Sequence, residues 1–126
     1  MAGILGIDYG AARVGLATAA AGSTLSTPHG TVAPNAVDAV IAGLEPQVIV
    51  IGLPRSLDGE DTAQTDEVRR FAGNLKVGAA MVVFQDEAGT SSVATDRLKA
   101  GGRPYRREDI DAEAAAIILQ DYLDGL

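Results

Sequence analysis

The stretch Ile4-Leu5-Gly6-Ile7-Asp8-Tyr9-Gly10-Ala11-Ala12-Arg13-Val14-Gly15-Leu16-Ala17 constrains this chain more than any other. An apolar run ends on a carboxylate, a glycine-bearing polar turn follows, and a second apolar run begins. The pattern reads as a buried strand, a tight turn and the return strand of a hairpin, over residues 3–9 and 14–20. Asp8 falls at the end of the first strand. A charged group is seldom left in an apolar strand without a partner, so the rest of the chain must supply one.

Composition narrows what that partner can be. The 126 residues contain no cysteine, which removes disulfides and thiolate chemistry and suits a reducing cytoplasm. The single histidine, His29, makes a multi-histidine metal site impossible, and it reads as structural or exposed. The length predicts one domain, residues 1–126. No run approaches the ~18 apolar residues of a spanning helix, and no basic residue precedes the first apolar run. The expectation is a cytoplasmic protein with no membrane partner. The net charge of −7 is a poor bulk match for nucleic acid, but the distribution is uneven. Arg97, Lys99, Arg103, Arg106 and Arg107 place half of the ten basic residues in one short stretch.

Along the chain, Pro28 and Gly30 predict a loop with at most a short third strand near Thr31–Ala33. Asn35 is a candidate N-cap for a helix carrying Val37, Val40, Ile41 and Leu44, ending near Pro46. Val48 to Leu53 reads as a central strand buried on both faces. Asp58-Gly59 shapes a turn. Asp61 and Gln64 have capping-box spacing, which predicts a helix over 62–75 with Val68, Phe71, Ala72 and Leu75 buried. Ala80 to Phe84 reads as another strand, ending at Gln85-Asp86-Glu87. Thr90 or Ser91 can cap a helix reaching Lys99, stopped by Gly101-Gly102. A last helix begins at Glu108 or Asp109 and buries Ile110, Ala114, Ile117, Ile118 and Leu123. The fold class is therefore α/β: a mixed sheet of about five strands, an early antiparallel hairpin and then parallel strands, flanked by helices.

Three acidic positions stand in comparable places: Asp8 at one strand end, Asp86-Glu87 at another, and Asp111 in the first turn of the last helix. Sites in α/β sheets form beyond the strand ends. Carboxylates meeting there repel and raise each other's pKa, and a hard divalent cation removes the conflict. Each residue also has an ordinary reading. Asp8 can accept backbone N–H bonds in its turn, Asp86 and Glu87 can be solvated residues leaving a strand, and Asp111 can favour the positive end of its helix.

Asp8-Tyr9-Gly10 with Arg13-Val14-Gly15 resembles the D-Y-G-x-x-R-[IV]-G opening of the YqgF/RuvX family. Gly52-Leu53-Pro54 with Asp58-Gly59 resembles its G-L-P-x-x-x-D-G loop, continued by Gln64-Thr65 and Phe71. Asp86-Glu87, Thr90-Ser91 and Ala94 resemble D-E-R-x-T-T-x-x-A. Asp111, Ala114, Ala115, Ile118-Leu119 and Tyr122-Leu123 resemble the closing D-x-x-A-A-x-x-I-L-x-x-Y-L. The resemblance spans essentially the whole chain. It implies an RNase H-like fold and a nuclease acting on pre-16S rRNA or on Holliday junctions. It further implies that Asp8, Asp86 or Glu87, and Asp111 are catalytic and bind Mg²⁺ or Mn²⁺, with Arg13 as a phosphate or structural contact. The chain departs from the pattern at Ala88, where the family carries the arginine that could hold a phosphate bidentately.

Arg103, Arg106 and Arg107 are the candidate nucleic-acid contacts, against the alternative of a solvated helix face, and Tyr105 among them reads as a packed or exposed tyrosine, with base stacking as the alternative. The implied partner is structured RNA (pre-16S rRNA) or branched DNA. A monomer suffices for RNA trimming; a homodimer is what cutting two strands of a junction requires. Two other function classes fit parts of the pattern. A relative of the actin-like ATPases shares the acidic-glycine hairpin but normally needs two domains, and this chain has no G-x-x-x-x-G-K-[ST] loop. A non-catalytic nucleic-acid-binding module would fit Ala88 and the net negative charge.

Overall fold

A computed structural model describes residues 3–87, 90–102 and 104–126, with the backbone alone for 90–92. The chain order is β1 (Gly3–Tyr9), β2 (Val14–Ala20), β3 (Thr27–Val32), α1 (Val37–Leu44), β4 (Val48–Pro54), α2 (Ala63–Gly73), β5 (Met81–Glu87), α3 (Thr90–Ala100) and α4 (Arg107–Asp124). The five strands form one mixed sheet in the order β3-β2-β1-β4-β5. β1 pairs antiparallel with β2 and parallel with β4, and β4 pairs parallel with β5. The carboxyl ends of β1, β4 and β5 therefore lie at one edge of the sheet.

Alternation along each strand sorts the side chains into two layers. Leu5, Ile7, Val14, Leu16, Ile49, Ile51 and Leu53 pack with Val37 and Ile41 of α1 and Val68 of α2. On the opposite face Ala17, Ala19 and Val50 meet Ala115, Ile118, Leu119 and Leu123 of α4. Burying each large aliphatic side chain stabilises the fold by roughly 1.5–3 kcal/mol. Helix α3 packs on the outside of α4, where Ala94 meets Ala114 and Ile117. The α4 face of the sheet is built from small residues, so the helix lies close. A side chain at Gly15 would run into the backbone of Asp111, and one at Gly52 into Ile118.

Both hairpin strands have the expected bounds. Elsewhere the boundaries differ for physical reasons. β3 starts at Thr27 and runs through Pro28. It is an edge strand, where a missing N–H leaves no ladder bond open, and the register shifts at Leu16/Ala17 opposite it. Asn35 does not cap α1. It lies within a 3₁₀ turn over Pro34–Ala36, and the cap is Ala36, with no side-chain bond. The capping box of α2 is one residue further on than Asp61 and Gln64. Thr62 Oγ1 accepts from Thr65 N at 3.3 Å, and Thr65 Oγ1 accepts from Thr62 N at 2.9 Å. Asp61 is instead drawn outward by Arg55 and Arg69. α4 starts at Arg107, and Asp109 Oδ2 accepts the Arg106 N–H at 2.8 Å. The proposed caps of α3 lie outside the described side chains. No helix among the described residues is long and apolar enough to cross a membrane.

Candidate active site

Asp8 follows Ile7 at the carboxyl end of β1. Ile7 faces α1 and α2, so alternation turns Asp8 toward α4. Its neighbour Tyr9 goes the other way, stacking on Phe71 with ring centroids 4.4 Å apart and donating its hydroxyl to Glu67 at 3.2 Å. Asp8 pairs with Gly15 across the hairpin, and Gly15 is the residue over which the Asp111 backbone lies. The hairpin and the start of α4 thus bring Asp8 and Asp111 together. Burial, with the Asp111 charge added to it, pushes the Asp8 carboxyl up to about 7.

Arg13, in the hairpin turn, donates Nε to Asp111 Oδ2 at 2.6 Å. Both side chains are partly buried, so this is more than a solvated surface pair.

Glu87 and Asp86 take opposite faces. β5 aligns with β4 so that Leu53 stands beside Asp86 and Pro54 beside Glu87. Leu53 faces the α1/α2 layer, and Asp86 shares that side, exposed and bonded to Arg55 Nε at 3.0 Å. Glu87 lies on the α4 side with Asp8. Its Cγ is 3.6 Å from where a Gly52 Cβ would stand, and its Oε1 is shielded from solvent. β4 stands between Glu87 and Asp8, and Gly52 leaves the intervening position open, so the Glu87 side chain reaches back over it. Glycine within a β-branched run such as Val48–Leu53 signals such a close approach.

The donor set is carboxylate oxygen throughout, the chemistry of a hard divalent cation that keeps part of its water shell. A cation would offset both the burial and the Asp111 repulsion that raise Asp8. Among the described residues no three acidic or histidine side chains are already gathered as a metal cage. The arrangement fits a partly hydrated ion on Asp8 and Asp111, with Glu87 across Gly52.

The basic stretch is divided. Arg97 reaches Glu113 at 3.4 Å, tying α3 to α4. Arg106 and Arg107 are exposed at the start of α4, about 6–8 Å along the helix axis from Asp111 at 1.5 Å per residue. Arg103 and Ala88 lie outside the described residues. Arg55, which the sequence reading passed over, joins the two parallel strand ends. Its backbone N–H donates to Glu87 O at 3.1 Å and its guanidinium reaches Asp86 and Asp61. Its place directly after the Gly52-Leu53-Pro54 block was the available signal.

Comparison with solved structures defines the class. T. thermophilus RuvC in complex with Holliday junction substrate superposes with a TM-score of 0.57 at 17% identity, covering 99% of this chain and 96% of that one. The protein therefore has the RuvC-type, RNase H-like fold. Residues 2–125 match the RuvX family, described as Holliday junction resolvase, and the chain belongs to that family. Among its relatives, a Maridesulfovibrio salexigens protein is 37% identical over 95% of this chain and 96% of its own length. A Streptomyces coelicolor protein is 38% identical over 96% of this chain and 79% of its own. Both carry the name "Putative pre-16S rRNA nuclease".

Proposed function

We propose that this protein is a divalent-cation-dependent nuclease that hydrolyses phosphodiester bonds in structured RNA, processing the 5′ end of pre-16S rRNA in the cytoplasm. Asp8, Glu87 and Asp111 form its acidic site, within a single domain. The observation that carries the reading is the Asp8–Asp111 pair: two carboxylates brought together at the carboxyl edge of the parallel strands because Asp8 pairs with Gly15 and the Asp111 backbone lies over Gly15, with burial first and the Asp111 charge second raising Asp8. The names of the relatives favour RNA as substrate.

Asp8 and Asp111 would hold Mg²⁺ or Mn²⁺, and Glu87 would complete the oxygen donors across Gly52. When bound, the cation supplies charge neutralisation and Lewis acidity toward the phosphoryl group. Arg13 fixes the orientation of Asp111 through its Nε–Oδ2 bond, and the rest of its guanidinium suits a phosphate oxygen. Arg103, Arg106 and Arg107 would guide the RNA backbone past the start of α4. Asp86, turned to the other face, acts through Arg55 on the position of β5 rather than on the substrate.

The test is cleavage of precursor-like rRNA, single-stranded RNA and a four-way DNA junction with Mg²⁺, Mn²⁺ or EDTA. An Asp8→Asn variant purified identically controls for contaminating nuclease. Metal-dependent cleavage of the precursor, lost in Asp8→Asn, is expected. Preferential cutting of the junction by a dimer would move the substrate to DNA, because two strands need two sites. Absence of any cleavage would leave a binding role. A second readout is independent of turnover: Mg²⁺ or Mn²⁺ should raise the melting temperature of the unaltered protein and not that of Asp8→Asn.

A further inference from the structure

Between β4 and α2 the chain closes a tight turn over residues 56–60. Ser56 N donates to Glu60 O at 3.0 Å, and Gly59 N donates to Ser56 O at 2.9 Å. Glu60 N donates to Ser56 Oγ at 3.1 Å, and the Ser56 hydroxyl donates to the Asp58 carboxylate. Gly59 takes a φ of +84°, a conformation open to glycine at little strain. Arg55 Nη1 braces the turn from outside, at 2.7 Å from Asp61 and 3.4 Å from the Gly59 carbonyl. At the tip, Leu57 is 96% exposed, the most exposed large apolar side chain among the described residues.

A single exposed leucine is ordinary on a protein surface. Leu57 differs in its support and in its place. The hydrogen bonds within the turn hold its backbone outward. It also lines, together with Glu87, Asp86, Arg55, Ser56 and Gly59, a cleft of about 220 Å³ at the same edge of the sheet as the carboxylates. Charge restricts what can meet it. Asp58 and Glu60 are in the turn itself, Asp61 and Asp86 beside it, and the Ser56 hydroxyl and Glu60 N–H hold Asp58 below the usual carboxylate range. Arg55 and Arg69 are taken up by Asp61 and Asp86, so the four carboxylates leave the turn net negative and disfavour a phosphate. An uncharged, flat, apolar face is not disfavoured.

We propose that Leu57 is a nucleobase-contacting wedge: with the scissile phosphodiester at Asp8, Glu87 and Asp111, a neighbouring base packs on Leu57 and is held out of its stack. This rests on the nuclease reading above and adds to it the form of substrate, a strand with an unstacked nucleotide beside the cleaved bond. Inserted leucines unstack base steps in other nucleic-acid complexes. A tip whose backbone is already hydrogen-bonded loses less conformational entropy on binding.

The experiment uses the full chain with Asp8→Asn to block cleavage, in Mg²⁺. The probe is a short single-stranded RNA carrying 2-aminopurine at each position in turn. Binding should raise 2-aminopurine fluorescence at one position. Adding Leu57→Ala should abolish that rise and weaken affinity about tenfold, the scale of partly burying one leucine side chain. The melting temperature and the slope of log affinity against log salt should not change. Leu57→Met should restore the fluorescence signal. Equal affinity and fluorescence with Leu57→Ala would overturn the wedge while leaving the nuclease reading intact. A reduced salt slope with unchanged fluorescence would also overturn it, since that is the mark of a backbone contact. If the parent binds no such RNA at any salt concentration, the wedge falls, while the nuclease reading stands or falls by cleavage of the structured precursor.

Discussion

Arg13 and Asp111, 98 positions apart in sequence, are joined by an Nε–Oδ2 ion pair of 2.6 Å at the mouth of the acidic site. Asp111 is also one of the two causes of the raised Asp8 pKa. Arg13 therefore compensates a charge that Asp8 feels. Arg13→Gln should destabilise the protein by about 1–2 kcal/mol at pH 8, because it leaves a partly buried carboxylate with a like-charged neighbour. It should also raise the Asp8 pKa further. Urea denaturation tests the first effect, and titration of the labelled Asp8 carboxyl by NMR tests the second. An unchanged Asp8 titration would show that the arginine does not act on it through Asp111.

Asp8 itself links stability to pH. Its folded pKa of about 7 lies above the unfolded value of 3.8, so the folded state binds more protons between the two. Its contribution is fully present below about 3.8 and is lost as pH rises through about 7. The unshared proton affinity corresponds to ~4 kcal/mol at most, which partial solvent access reduces. Without added metal, Asp8→Asn should be more stable than the unaltered protein at pH 8 by roughly 1–3 kcal/mol. That gain should shrink at pH 5. Paired denaturation curves at the two pH values decide it, and a gain that grows toward acid would contradict the assigned direction.

Gly15 sets how closely α4 approaches the hairpin. A methyl group there meets the Asp111 carbonyl, a backbone atom that moves only if the helix moves. Gly15→Ala should cost about 3 kcal/mol or more, the upper range for overpacking, and should displace Asp111 from Asp8. Gly43 in α1 is the contrasting case, with nothing within 4 Å of its added Cβ. Gly43→Ala should stabilise by about 0.5–1 kcal/mol through helix propensity alone. Thermal denaturation of the two variants side by side should move in opposite directions.

Much of this arrangement was legible in residue order. The strands around the Asp8 turn announced themselves because each is an apolar run bounded by turn residues, and the β-branched run of β4 predicted a buried central strand. Asp86 and Glu87 could not be separated that way. Which of two adjacent residues faces α4 depends on the register of β5 against β4, and a one-residue slip exchanges the faces. The cap of α2 was displaced because Asp61 is bound by two arginines, Arg55 six residues before it and Arg69 two turns into α2 itself. Capping-box spacing compares only positions three apart, so it does not register arginines six and eight residues away. Pro28 and Gly30 suggested a loop since strand propensity does not distinguish an edge strand from an interior one.

Thr65 is fully buried and polar, and its side chain joins the start of α2 to the end of β4. Its hydroxyl donates to the Pro54 carbonyl and accepts the Thr62 N–H. Pro54 stands in register with Glu87, and the next residue, Arg55, donates its N–H to the Glu87 carbonyl. One buried hydroxyl thus fixes the end of β4, to which the end of β5 carrying the third acidic residue is hydrogen-bonded. Thr65→Val preserves the volume and removes both bonds, leaving Pro54 O and Thr62 N to find other partners. The expected loss is about 1–3 kcal/mol, with part of it recovered in Thr65→Ser. Amide hydrogen exchange should rise at Arg55 and along the end of β5 more than in β1. Uniform protection in Thr65→Val would mean that the hydroxyl anchors the helix without holding Glu87 in place.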